Sequence, residues 1–189
     1  MHAVCVSCGS SPGARPAYLA AARAVGEALA RRGLTLIYGG ASCGLMGALA
    51  DTVLGLGGRV VGVMPRGLAR AEIVHSGLTE LVLVDSLYER KRLMFEKADA
   101  FLTLPGGFGT LDELAEVLTM SQLGLHAKPC GLLDVAGFFA PLLAYLDRAV
   151  ADRFLRPEHR ALVMVGGDPD RLLDLLAGAT PPAAVEKWL

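Results

Sequence analysis

A chain of 189 residues with a net charge of −1, a pI of about 6.4 and no basic block or tail lacks the electrostatic footprint of a general nucleic-acid binder. Its residues are 53% hydrophobic, yet Gly, Pro or a charge interrupts every run before it reaches the roughly 18 apolar residues of a membrane helix, so the apolar excess is expected inside a core. The length asks for a single domain over 1–189, and four cysteines behind an opening without a basic leader fit a reducing, cytoplasmic setting better than a disulfide scaffold.

In chain order, the apolar runs AVCVS (3–7), LTLIY (34–38), RVVGVM (59–64), ELVLVD (80–85), AFLTLP (100–105), PCGLL (129–133) and ALVMV (161–165) read as strands. Between and after them come helical patterns at about 16–32, 44–56, 86–98, 110–123, 137–152 and 168–178. Strand then helix, repeated, predicts an α/β fold, because parallel neighbours need a crossover. The expectation is a three-layer, doubly wound, Rossmann-like sheet of about seven mostly parallel strands with helices on both faces. The segment 66–79, RGLARAEIVHSGLT, is the least regular and reads as a loop carrying at most a short helix.

Glycines collect where strands turn into helices, which is where ligands sit in such sheets. Gly9 and Ser10 follow the first strand in CGSS; Gly39, Gly40 and Met46 follow the second in YGGASCGLMG; Gly106, Gly107, Phe108, Gly109 and Thr110 follow the fifth in PGGFGT. Bare backbone of this kind presents N–H groups to an anion at a helix start, so a phosphate is the predicted ligand. The G-x-x-x-x-G-K-[ST] and G-x-G-x-x-G patterns are absent, and the second strand ends in Tyr38 and Gly39 rather than an acid, which disfavours a P-loop nucleotide and NAD. Pyridoxal phosphate is disfavoured too, because the four lysines, Lys91, Lys97, Lys128 and Lys187, lie within helices, before a strand or in the tail. The Cys5-x-x-Cys8 spacing falls partly inside a strand with no second pair and no histidine cluster, so these read as buried thiols.

Thr110 and Glu113 have the T-x-x-E spacing of a capping box, with Thr110 as N-cap and Glu113 reaching back to its amide. A carboxylate beside an anion cradle also suits a sugar phosphate, and both readings stand open. Asp112 and Glu116 read as solvated acids near the helix start. In SLYERKRLMFEKADAF, Leu87, Met94, Phe95 and Ala98 define an apolar stripe, and Arg90 and Lys91 fall within or beside it. Either their stems snorkel or they reach an anion, with Arg90 the better bidentate partner. His2, His75, His126 and His159 have no nucleophile motif near them and read as structural or surface residues.

PGGFGTLDE (105–113), matching P-G-G-x-G-T-x-x-E, together with CGSS, YGGASCGLMG and ERK, resembles the Lonely Guy (LOG) family over residues 4 to about 165. The resemblance implies hydrolysis of the N-glycosidic bond of cytokinin riboside 5′-monophosphates, often with AMP as a further substrate. It also implies no metal or organic cofactor and assembly as a homodimer or larger, while charge and hydropathy patterning leave neither nucleic acid nor membrane as an expected partner. It makes Arg90 and Glu113 the catalytic pair, Lys91 a basic neighbour in the substrate site and Glu72 an acid of a substrate-binding loop. Gly107, Phe108, Gly109 and Thr110 then line the phosphate side and Thr119 gives a further substrate contact. Ala41, Cys43 and the missing proline before Arg70 depart from the family pattern. A nucleotide or cofactor carrier resembling the molybdenum-cofactor carrier proteins is the rival on the same fold; a metal-dependent phosphohydrolase, for want of an acidic cluster at a strand end, is third.

Overall fold

The computed structural model describes residues 1–69 and 73–179. Seven strands, β1 (Ala3–Ser7), β2 (Thr35–Tyr38), β3 (Val60–Pro65), β4 (Glu80–Val84), β5 (Ala100–Thr103), β6 (Cys130–Leu133) and β7 (Val163–Gly166), form one sheet in the order β4-β3-β2-β1-β5-β6-β7. Every ladder is parallel. The central strands are buried on both faces, as their uninterrupted apolar runs require; all six residues of β3 are buried.

Among the described residues seven helices cover the sheet: α1 (Pro16–Arg31), α2 (Gly44–Gly55), α3 (Leu87–Lys97), α4 (Phe108–Gln122), α5 (Ala140–Ala151), the one-turn α6 (Pro157–Arg160) and α7 (Pro169–Gly178). Side chains alternate across a strand, so β1 sends Val4 and Val6 into the core under α1, α2 and α7, and Cys5 into the opposite core with Met94 and Phe95 of α3 and Val117 of α4. Leu114 of α4, Leu132 and Phe139 form a third cluster under α5. The expected stripe on α3 holds for Met94, Phe95 and Ala98, but Leu87 is exposed, since it is the first helical residue and projects beyond the sheet. The 66–79 segment carries a 3₁₀ turn at Arg66–Leu68.

The topology fixes where a site can form. From β1 the chain winds outward to β4, then returns to lay β5 against the other edge of β1. The turns after β1 and β5 therefore leave the sheet in opposite directions and open a crevice between them. The Gly9 N–H donates to the Pro105 carbonyl at 3.0 Å and ties the two turns together at its floor.

Candidate active site

The cradle after β5 differs in register from the capping-box expectation. Gly107 is the N-cap, with extended backbone and no side-chain cap, and α4 begins at Phe108, so Thr110 is the third helical residue. Leu111 N–H donates to the Gly107 carbonyl, while no described residue accepts the N–H groups of Phe108, Gly109 and Thr110. A helix start with three open donors and the positive end of its dipole is an anion site. Thr110 is buried, and its hydroxyl and Cβ fill the space where a Gly106 side chain would lie, with the Gly9 nitrogen close on the other side. Gly106→Ala should therefore shift the start of α4, and its kcat/KM should fall about tenfold, the effect of one distorted hydrogen bond to a charged group, while circular dichroism stays that of the parent.

The turn after β2 is spent differently. The Gly9 carbonyl accepts from Leu45 N–H at 3.0 Å and Met46 N–H at 3.3 Å, so two of the three N–H groups in the first turn of α2 are satisfied by the chain itself. Ser10 is exposed at the rim, and Gly39 and Gly40 are buried beneath it. Gly39 has no room for a side chain: the Arg90 guanidinium and the Met46 sulfur crowd the position a Cβ would take.

Glu113 does not reach back to a cap. Its side chain, 6% exposed, pairs with Arg90 at 3.0 Å, Nη2 to Oε1, while Arg90 Nε donates to the Val63 carbonyl at 3.1 Å. Arg90 is thus fixed between the C-terminal end of β3 and α4, with its guanidinium against the Gly39 turn. The carboxylate also lies near the end of β1: burial first, and then Glu113, push the Cys5 and Cys8 thiols up. Raised thiols on opposite faces of the sheet make a poor redox pair, in line with their reading as buried cysteines.

Lys91 neighbours this pair. Its ammonium lies 2.9 Å from Asp112 and 2.5 Å from Glu116, so these acids, expected to be merely solvated, hold a cation. Donating to the Glu116 and Asp112 carboxylates holds the Lys91 ammonium above its ordinary pKa. An ammonium inside an apolar stripe needs an anion, and that need was the sequence signal for these partners. A second group escaped the sequence: the Gly77 N–H donates to His75 Nδ1 at 3.1 Å, which leaves Nε2 as donor to Asp51 at 3.0 Å. With Ser42 N–H on the Ile73 carbonyl and the Ala41–Val74 bridge, this pins residues 73–77 onto the turn that abuts Arg90.

The structure therefore brings Gly9, Gly39, Met46, Arg90, Lys91, Gly106–Thr110 and Glu113 to one end of the sheet. Glu72 lies outside the described residues. Thr119 is placed elsewhere: it lines an apolar groove of about 470 Å³ between α4 and α5 with Leu118, Tyr145 and Leu146, and its hydroxyl donates to the Ala115 carbonyl. A smaller cleft of about 370 Å³ lies at the start of α4, walled by Phe108, Leu111, Phe138 and Phe139. No described helix is long and apolar enough to cross a membrane.

Residues 46–176 match the family model described as "Possible lysine decarboxylase". The probable cytokinin riboside 5′-monophosphate phosphoribohydrolase LOGL5 of Oryza sativa subsp. japonica is 46% identical over 95% of this chain and 73% of its own length. The cytokinin riboside 5′-monophosphate phosphoribohydrolase of Rhodococcoides fascians is 49% identical over 87% and 84%, and LOG2 of Arabidopsis thaliana 42% identical over 94% and 84%. Among solved structures, the molybdenum cofactor carrier protein MCP of Chlamydomonas reinhardtii superposes with a TM-score of 0.72 at 20% identity, over 94% of this chain and 99% of that one. The molybdenum cofactor binding protein of Rippkaea orientalis gives 0.71 at 20% identity, covering 93% and 95%. At that identity the likeness is one of fold.

Proposed function

The chain belongs to the Lonely Guy (LOG) family, and from that premise we propose that it hydrolyses the N-glycosidic bond of adenosine 5′-monophosphates, including N6-modified ones, to free base and ribose 5-phosphate. The observation that carries this reading is the pairing of the partly buried Arg90 with the buried Glu113, which lies one helical turn beyond an open anion cradle. With the phosphate on the N–H groups of Phe108, Gly109 and Thr110, the ribose lies toward Glu113. The bond from C1′ to the base breaks, its electron pair leaves with the base, and positive charge grows on the sugar. The Glu113 carboxylate stabilises that charge and orients the water that adds to C1′. The water keeps one hydrogen as the new C1′ hydroxyl and gives up the other as a proton, and the departing base takes up one proton, so the step balances. Arginine keeps its proton, so Arg90 anchors the substrate and polarises the base rather than donating.

The decarboxylase wording of the family model finds no fitting lysine among the described residues. Pyridoxal phosphate needs an amine free to form an imine, whereas Lys91 is held by Asp112 and Glu116, Lys97 pairs with Glu80, and Lys128 donates to the Phe95 carbonyl. Lys187 lies outside the described residues. The carrier reading rests on fold alone and leaves the Arg90–Glu113 pair without a task.

The whole chain acts as one cytoplasmic nucleotide-binding unit in this reading, which its four free cysteines support. It works as a homodimer or larger, which the open apolar groove and exposed Leu125 and Tyr145 favour. Incubation with AMP and with N6-isopentenyl AMP, followed by chromatography, should yield free base from at least one. Inorganic phosphate instead, or intact nucleotide, would refute hydrolysis at C1′.

A further inference from the structure

Gly39 and Gly40 are consecutive, and Gly40 has a φ of +83°, a conformation that glycine adopts freely and most residues do not. Two glycines in a row give a turn no stiffness of its own. Yet this turn walls in the Arg90 guanidinium, which crowds the place a Gly39 side chain would take. Its stiffness has to come from elsewhere in the fold.

Residues 73–77 supply it. The His75 N–H donates to the Gly40 carbonyl at 3.0 Å, and the Ser42 N–H and hydroxyl both donate to the Ile73 carbonyl, at 2.8 and 3.1 Å. The ring of His75 fastens this stretch in turn. Its side chain is 10% exposed, with Nδ1 accepting from the Gly77 N–H and Nε2 donating to Asp51 of α2, so both nitrogens are engaged.

We propose that His75 is a positioning residue for the hydrolysis: its imidazole, held between Asp51 and Gly77, keeps the Gly39–Gly40 turn against Arg90 and thereby keeps the guanidinium aligned with Glu113. The inference rests on the phosphoribohydrolase reading of the site. Among the described residues neither His75 nor Asp51 bonds to Arg90, Glu113 or the α4 cradle, so their influence runs through the turn. The cradle is tied separately, by Gly9 to Pro105, and the phosphate site does not depend on the ring.

His75→Ala should lower kcat/KM for AMP about tenfold when assayed well below its Tm, since a misplacement of about 1 Å arising away from the chemistry costs up to about a hundredfold. Inhibition by ribose 5-phosphate, which probes the cradle, should stay within about threefold of the parent. His75→Gln keeps a donor for Asp51 and His75→Asn an acceptor for Gly77, so each should return part of the loss. In an Arg90→Met background, His75→Ala should cost no more than about twofold, because the group it acts through is gone. By NMR, the Arg90 Nε–H, bonded to the Val63 carbonyl, should exchange about tenfold faster in His75→Ala than in the parent. A further loss of about tenfold in the Arg90→Met background overturns the proposal, as does a His75→Ala protein with parental kcat/KM and only a lower Tm. If His75→Ala does not fold, His75→Gln and Asp51→Ala, which each remove one arm of the ring, carry the same comparisons. Should the parent release no base, the hydrolase reading fails separately, and the Arg90 Nε–H exchange still decides: a rate in His75→Ala equal to that of the parent overturns the role given to His75.

Discussion

Glu113→Gln is expected to lower kcat about a hundred- to a thousandfold while AMP binding stays measurable, the range seen when a preorganised electrostatic contact to the transition state is lost. The reason is specific to this position. The carboxylate is buried between α3, α4 and the end of β1, fixed by Arg90, and comes one turn after the amides proposed to take the phosphate. Glutamine keeps the shape, and its amide oxygen still accepts from Arg90, so the scaffold and the phosphate cradle persist. What it lacks is the negative charge that lowers the energy of a sugar cation. Chromatography of released base under single-turnover conditions gives the rate, and calorimetry with AMP gives the affinity. Full turnover in this variant would remove the carboxylate from the mechanism.

Arg90→Met is expected to cost both turnover and stability, and the two losses should separate. It leaves Glu113 buried without its cation, which is expected to cost about 3 kcal/mol and to lower Tm by roughly 9 °C in a chain of this size. It also removes the group proposed to anchor and polarise the base, so kcat/KM falls at least a hundredfold. In Arg90→Met/Glu113→Gln the stranded charge is gone, and Tm should recover most of its loss with no return of activity. Thermal melts of the two single variants and the double variant check this. A double variant no more stable than Arg90→Met would mean that the Val63 contact, and not the ion pair, is what Arg90 supplies to the fold.

The sheet was legible because of its burial. Strands covered on both faces read as apolar runs such as AVCVS and RVVGVM, and glycine clusters punctuate the turns between them. What stayed hidden has a common cause. The T-x-x-E spacing is a local pattern, and locally it describes a cap; the side chain that takes Glu113 away from that role is Arg90, on another helix. Thr119 shares α4 with Glu113 and points to the α5 side, a division that a list of motif residues does not carry. The Asp51–His75–Gly77 set joins residues with no recognisable spacing and becomes visible only when the loop closes on the β2 turn.

The Gly9 carbonyl, turned onto Leu45 and Met46, has a consequence for selectivity. Two helices start at this crevice, and the one after β2 gives the N–H groups of Leu45 and Met46 to the protein's own backbone. On the proposed placement, a ligand bearing a string of phosphoryl groups seats one of them on α4 and meets only the Gly44 N–H open in the first turn of the neighbouring helix. A monophosphate makes no such demand.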